Sequence, residues 1–587
     1  MSGITRTTLI VGAALSLVAV GAVLGGELGV FSDEGTDLRF SLSFPEDVSP
    51  EAQDGRLLVL LSSDSTAEPR YLVGPAPDGR GQLFGTNVSD LAPGESAVLG
   101  GEAFGHPVER LADLPAGEYY VQGFLNRYET FERSDGHTVQ LPPDRGEGQV
   151  WREKPGNLYS EPRQIRVDPG EGGTVELVLD QEIPPPEEPQ EETRHLKHIT
   201  IQSDLLTEFW GRPMELGAWV LLPGGWHERP NARYPLMIYQ GHFHKNFYAP
   251  VRWRTRPPAD SLPAVDTAWL NENCPNGHSE GCAEHGYERF QQQTAYDLYR
   301  QWTGPDFPRF ILITIQHANP YFDDSYAVNS ANVGPYGDAI VEELIPRIEE
   351  EFRGIGEGWA RVQYGGSTGG WESLAQQIFY PEEFNGAWSA CPDPVDFRSY
   401  ELINIYEDEN AYRDAGPFGS VARPGHRDYL GRVDYMVEDE NHYELTLGDN
   451  ARSGGQWDIW QAVFGPVADD GYPKPIWNKR TGRIDPDVAE HWRENYDLRH
   501  ILERDWEELG PKLEGKLHIY VGEMDNYYLN NAVYRMERFL ESTDDPYYGG
   551  EVEYGARDEH CWSGDHEHEN WRSRLTYVQR LAPQMER

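Results

Sequence analysis

The sequence predicts an α/β fold, a doubly wound and mostly parallel sheet over residues 195–587, preceded by an all-β sandwich of immunoglobulin-like type over 37–180. Three observations carry this. Apolar runs of strand length alternate with segments of helical period in the later part, which implies parallel strands joined by helices. The earlier part shows β-rich runs separated by turn signals and little helical period. Between the two lies QEIPPPEEPQEE, rich in Pro and Glu, which reads as a solvated linker over 181–194. At 587 residues the chain exceeds one ordinary core, so more than one domain is expected.

In chain order, Leu9–Gly26 is continuously apolar after a short N-terminus carrying Arg6. It reads as a signal peptide or single membrane anchor over 1–26, so the remainder is expected outside the cytoplasm, periplasmic, extracellular or anchored. The β region follows with LRFSLSF, RLLVLLS, GEYYVQGFL, RQIRVDP and GTVELVLD, set apart by PDGRG, APGES, LPAG and PGEGG. Its aromatic group at Tyr119, Tyr120, Phe124 and Tyr128 suits a core, with a carbohydrate-binding face as the other reading. After the linker, HITIQS, LGAWVLLP, YPLMIYQGH and FILITIQHAN read as strands, and AIVEELIPRIEEEF as an amphipathic helix. FNGAWSA, KLHIYVG and EVEYG are further strands. An aromatic, polar insertion over about 396–510 separates the first two of these. Loops at the carboxyl edge of such a sheet stand over the ligand site, so the insertion is expected to cap a pocket, with an ordinary peripheral subdomain as the equal alternative.

The stretch QYGGSTGGWESLAQQIFYP carries Gly365, Ser367 and Gly369 as G-x-S-x-G. ARV before it is strand-like, and Trp371, Leu374, Ala375 and Ile378 after it fall at helical spacing. Strand, sharp turn and helix is the context in which this motif is a nucleophile elbow. A serine hydroxyl needs an imidazole to take its proton and a carboxylate to fix the tautomer of that imidazole. Asp525, in the loop after KLHIYVG, is the candidate acid, with Glu523 in reserve. The candidate base is His560, about six residues past the last strand, or alternatively His566. The oxyanion donors are expected at the backbone N–H of Thr368 and at His242 or Phe243 in the QGHFH loop. No metal or cofactor is required; a cluster of His560, His566 and His568 is the less favoured metal reading.

The formal charge of −48 repels phosphate backbones and anionic membranes, which argues against nucleic-acid binding and leaves membrane contact to the N-terminal run alone. Acid-rich, Lys-poor surfaces suit saline surroundings, and GC-rich coding is the alternative source of this composition. Cys274 and Cys282 close a short polar loop that reads as a disulfide, and a Cys391–Cys561 bridge would rigidify the His560 loop.

WVLLPGGW with YPLMIYQGH, YGDAIVEELIPRIEEEF, YGGSTGGWESLAQQIFYPEEFNGAWSACP and HIYVGEMD together resemble the esterase family of α/β-hydrolases that includes enterochelin esterases, esterase D and feruloyl esterase-like enzymes. The resemblance spans roughly Lys197 to Arg587 apart from the insertion. It implies an α/β-hydrolase sheet, Ser367 as nucleophile, Asp525 as acid and a C-terminal histidine as base. The elbow reads GGSTGG where many relatives have G-x-S-M-G-G, and the C-terminal segment holds several histidines where relatives usually show one. GDHEHENWR favours His566 and HCW favours His560. The expectation is an exported serine esterase acting on a small-molecule or oligosaccharide ester, such as a sugar or phenolic ester. An acyltransferase on the same triad and a non-catalytic carbohydrate-binding surface protein are the alternatives. Arg252 and Arg254 beside QGHFH would make the pocket locally basic. Acyl group, leaving group and oligomeric state stay open at this stage.

Overall fold

The computed structural model describes residues 36–77, 80–144, 150–185, 192–241, 253–273, 281–322 and 324–564. The apolar run Leu9–Gly26, the QGHFH loop from His242 onward, Cys274, His566 and His568 lie outside them. Among the described residues no helix is long and apolar enough to cross a membrane.

Residues 195–564 are organised on one eight-stranded sheet: β1 (Leu196–Ser203), β2 (Met214–Leu221), β3 (Leu236–Gln240), β4 (Ile311–Gln316), β5 (Arg361–Gly366), β6 (Ala387–Ala390), β7 (Leu517–Gly522) and β8 (Glu551–Gly555). The spatial order is β1-β2-β4-β3-β5-β6-β7-β8. β2 runs antiparallel to β1 and β4, and every pair from β4 to β8 is parallel. Parallel strands buried on both faces read as apolar runs, as Ile311–Ile313 does; in RVQYGG the polar Arg361 and Gln363 are buried as well. The crossover before β5 is the expected amphipathic helix, ending in Ile345–Phe352; its apolar positions Ile340, Leu344, Ile345 and Ile348 are fully buried.

The helix after β5, α1 (Thr368–Phe379), differs from an amphipathic surface helix: it is buried from Thr368 to Ile378, polar residues included. Several of those polar groups find partners instead of water. Gln376 accepts from Gln240 at 2.8 Å and donates to the Ala327 carbonyl at 3.2 Å, and Gln377 donates to that of Phe384 at 3.2 Å. Paired in this way, amides are tolerated in an interior that would otherwise charge their full desolvation.

Residues 38–182 form strands, as expected. A three-stranded sheet, in which Leu38–Ser43 pairs parallel with Gly173–Val178, faces a larger sheet that includes Gln53–Ser62, Gln82–Leu91 and Gly117–Arg127. Phe40, Leu42, Leu57, Val59, Val121 and Leu177 fill the space between them. The larger sheet is buried on its second face too, where Leu58, Leu60 and Phe124 pack with Phe322 and Leu447 from the later part of the chain. Leu57–Leu61 within RLLVLLS is therefore apolar at every position because both faces are covered. Phe124 and Tyr128 are buried, so they serve the core and not a binding face. The expected linker also starts later than its composition suggests. Gln181–Glu182 pairs with Leu158–Tyr159, and Ile183 is buried.

The insertion contributes the helix α2 (Val437–Leu447). The C-terminal turn of α2 is held by the N-terminal strands. Arg56 donates through Nε to the Thr446 carbonyl at 3.0 Å and through Nη2 to that of Leu445 at 3.1 Å. A cation at the carbonyl end of a helix meets both the unpaired acceptors and the negative end of the macrodipole.

Candidate active site

Ser367 occupies the turn between β5 and α1 with φ 58° and ψ −124°, the left-handed backbone that marks a nucleophile elbow. The glycine spacing is dictated by contact. A Cβ on Gly365 would lie 2.3 Å from the Gly369 carbonyl oxygen, and one on Gly369 would lie 2.1 Å from that of Gln240. The turn thus closes only with hydrogen at both positions, and its N–H is anchored by the Ala390 carbonyl at 3.0 Å.

Asp525 follows β7 and is completely buried. Its Oδ1 accepts the backbone N–H groups of Tyr527 at 3.0 Å and Leu529 at 3.2 Å, which leaves Oδ2 aimed at His560 Nδ1, 2.8 Å away. The His560 backbone is fixed by donation to Asn526 Oδ1 at 2.9 Å, and its ring meets that of Tyr527 edge-on at 4.9 Å. Ser367 and His560 line the same cavity of about 320 Å³. Of the sequence candidates, then, Ser367, Asp525 and His560 come together. Glu523 points to solvent. His566, His242 and Phe243 lie outside the described residues, and Thr368 begins α1 as expected, its side chain buried and donating to Asp393 at 3.1 Å.

Cys391 and Cys561 are free thiols and form no bridge, which corrects the expected disulfide; the Sγ atoms sit 2.8 Å apart, with the Cys391 thiol donating. Cys391 Sγ also accepts the Ser367 N–H at 3.3 Å. Burial pushes the Cys391 thiol well up, while the hydrogen bond from Cys391 and the neighbouring His560 hold Cys561 well down. Burial pulls the His560 imidazole down, but the charge on Cys561 and the carboxylate of Asp525 outweigh it, so its pKa stands well above the ordinary histidine value.

The remaining lining was not singled out in the sequence: Asp393, Glu401, Glu440, Gln456, Trp457, Trp460, Tyr527 and Leu529. Asp393 follows β6 at its carboxyl end, the edge where ligand sites form, and that position was the available signal. Its Oδ2 accepts from Tyr326 at 2.6 Å, Thr368 at 3.1 Å, Trp460 at 3.2 Å and Gln456 at 3.4 Å, and its Oδ1 from Ser367 Oγ at 3.4 Å. Glu401, Glu440, Trp457 and Trp460 come from the insertion, which does wall the cavity. No Lys or Arg lines it among the described residues, and the charged lining beside His560 is acidic; Arg252 lies outside the described residues, and Arg254 is not part of the lining. Burial raises the Glu401 carboxyl well above its usual range and pushes Glu440 up to about 7.

Among the described residues two groups bring metal-binding atom types within 4.8 Å of one another: Cys391, His560 and Cys561 in the site, and the buried His317, Asp324 and Glu372 beside the first turns of α1.

No family model matches the chain, and neither does any curated protein. Several solved structures resemble it. A ferulic acid esterase is 13% identical, covering 66% of this chain and 99% of its own, with a TM-score of 0.31. An S-formylglutathione hydrolase from Agrobacterium tumefaciens is 12% identical, covering 67% and 95%, with a TM-score of 0.31. FphF, a fluorophosphonate-binding serine hydrolase of Staphylococcus aureus, is 13% identical, covering 67% and 98%, with a TM-score of 0.30. Likeness at this level carries no argument about activity, which rests on the residues themselves.

Proposed function

We propose that the protein is a serine hydrolase that cleaves carboxylic esters through an acyl-enzyme. The observation that carries this is the 2.8 Å contact of a buried Asp525 with His560, on a cavity shared with a serine in left-handed backbone. In this reading His560 Nε2 takes the proton of Ser367 as Oγ attacks the ester carbonyl, and returns it to the departing alkoxide. A water activated by the same nitrogen then releases the acyl group. Asp525 holds Nδ1 protonated and balances the imidazolium. The Thr368 N–H, at the amino end of α1, and a donor from the chain after Gly241 are assigned to the developing oxyanion.

Trp457, Trp460 and Tyr527 favour a substrate with a flat or ring-bearing part. We read the Leu9–Gly26 run as sending the chain out of the cytoplasm, on its length and apolarity.

The test is labelling with a fluorophosphonate. The native protein is expected to label, Ser367→Ala and His560→Ala to lose labelling, and His566→Ala to keep it. No labelling of folded protein, at low and at high salt, would sink the hydrolase reading. Labelling lost with His566 and kept without His560 would move the base.

A further inference from the structure

The cavity beside Ser367 is unusual in its charge. Of its described lining, Asp393, Glu401 and Glu440 are acids, and no lysine or arginine faces them. Asp393 has its Oδ2 surrounded by four donors, and Glu440 Oε2 accepts the Trp457 indole N–H at 2.9 Å. Glu401 is different. It is only 2% exposed, and its Oε2 is buried with no hydrogen-bond partner among the described residues. The charged groups that bear on it most, Glu440, Asp393, Asp525 and Glu444, are all carboxylates, so none relieves its charge.

Glu401 is also held in place at a cost. Its φ is 52°, a left-handed conformation uncommon for a side chain of this size. The turn is clamped by reciprocal backbone bonds, Tyr400 N–H to Ile403 O at 2.8 Å and Ile403 N–H to Tyr400 O at 3.0 Å. The Tyr400 ring is wedged edge-on against Trp460 at 5.0 Å and Trp457 at 5.5 Å. Backbone strain and a buried acceptor without a donor are both unfavourable, and they coincide on one residue of the pocket wall. Such a pairing signals a group built to receive something.

We propose that Glu401, with Glu440 and the faces of Trp457, Trp460 and Tyr527, receives an alkylammonium group carried by the substrate, while the ester lies at Ser367 and His560. This rests on the ester-hydrolase reading for its second half only. An ammonium supplies what the wall lacks: N–H donors for Glu401 Oε2 and positive charge for the carboxylates. Indole and phenol rings add attraction for a cation over their faces, and more so when water is excluded. A neutral alcohol brings a donor without the charge. An anionic substrate would meet three carboxylates, so the site selects against it.

The experiment compares two near-isosteric probes, benzylammonium and benzyl alcohol, by quenching of tryptophan fluorescence at about pH 8, where the amine is charged. Salt of about 0.5 M screens the acidic surface but not a buried site. Benzylammonium is expected to bind the native protein at least about ten-fold more tightly than the alcohol, a margin of about 1.4 kcal/mol. Glu401→Gln, which keeps the shape and removes the charge, is expected to bring the two within about two-fold. Equal binding of the probes to the native protein overturns the proposal, as does a preference that survives in folded Glu401→Gln. If that variant fails to fold, the native comparison and Glu440→Gln decide in the same terms. Fluorophosphonate labelling is run on the same samples. Labelling without cation preference overturns the ammonium site and leaves the hydrolase reading; cation preference without labelling does the reverse.

Discussion

Replacing Asp525 by Asn tests the logic of the site at one atom. The carboxylate divides its labour: Oδ1 takes two backbone N–H groups, and Oδ2 takes His560 Nδ1–H. An amide has one oxygen. If that oxygen stays with the Tyr527 and Leu529 N–H groups, the NH₂ faces His560 and forces Nδ1 to accept. The proton then sits on Nε2, and the ring can no longer take one from Ser367. The opposite rotamer turns NH₂ against two N–H donors in a fully buried place, which costs several kcal/mol and is not adopted. The wrong tautomer is thus imposed by the backbone, not by chance. Loss of the base in such a triad lowers kcat by about 10⁴, or about 5 kcal/mol of transition-state stabilisation. The assay is single-turnover acylation by an activated nitrophenyl ester, with urea unfolding as the check on folding. A folded Asp525→Asn protein that acylates within about ten-fold of the native rate would refute the assignment. Glu523→Gln, whose side chain is exposed, is expected to leave the rate unchanged.

Gly369→Ala places a Cβ 2.1 Å from the Gln240 carbonyl oxygen and 2.8 Å from Gly241 Cα, so backbone must shift at the end of β3; about 3 kcal/mol of stability and most of the labelling rate are expected to go, and an unaltered urea midpoint would contradict this. Activity needs neutral His560, so the rate should climb as pH rises through its elevated pKa. Cys561→Ser removes the main charge raising that pKa, so the limb of the pH–rate profile should move to lower pH, and a limb that stays put would show that Cys561 carries no charge. Arg56→Ala strips two donors from the end of α2 and is expected to cost about 2–3 kcal/mol in urea unfolding, with a loss under about 0.5 kcal/mol counting against its capping role.

How much of this could be read in advance depends on how local each constraint is. The elbow was legible because its requirements are met within five residues, Gly365 to Gly369, and by the strand and helix beside them. Asp525 was legible because it follows a strand that announces itself. The choice of His560 was not, since His560 and His566 sit in one polar segment, and only the Asp525 contact separates them. Cys391 and Cys561 illustrate the opposite difficulty: they were correctly brought together, yet proximity in a fold does not say whether two thiols are joined. Glu401 was illegible. The role proposed for it depends on a clamped turn and on the lack of a Lys or Arg in the described lining around it, and neither leaves a pattern in the sequence. RLLVLLS did carry a signal that was available and unused, because an unbroken apolar strand implies cover on both faces, and the second cover is Phe322 and Leu447.

That second cover has a consequence for how chemistry and selectivity are divided along the chain. Ser367, Asp525 and His560 all follow strands of the eight-stranded sheet. Glu440 is placed differently. It reaches the cavity from α2, whose last turn Arg56 grips from 390 residues away, and Leu447 at its end lies against the N-terminal strands. On the reading proposed above, the strands before the linker would bear on substrate choice through α2 while supplying no residue of the described cavity lining.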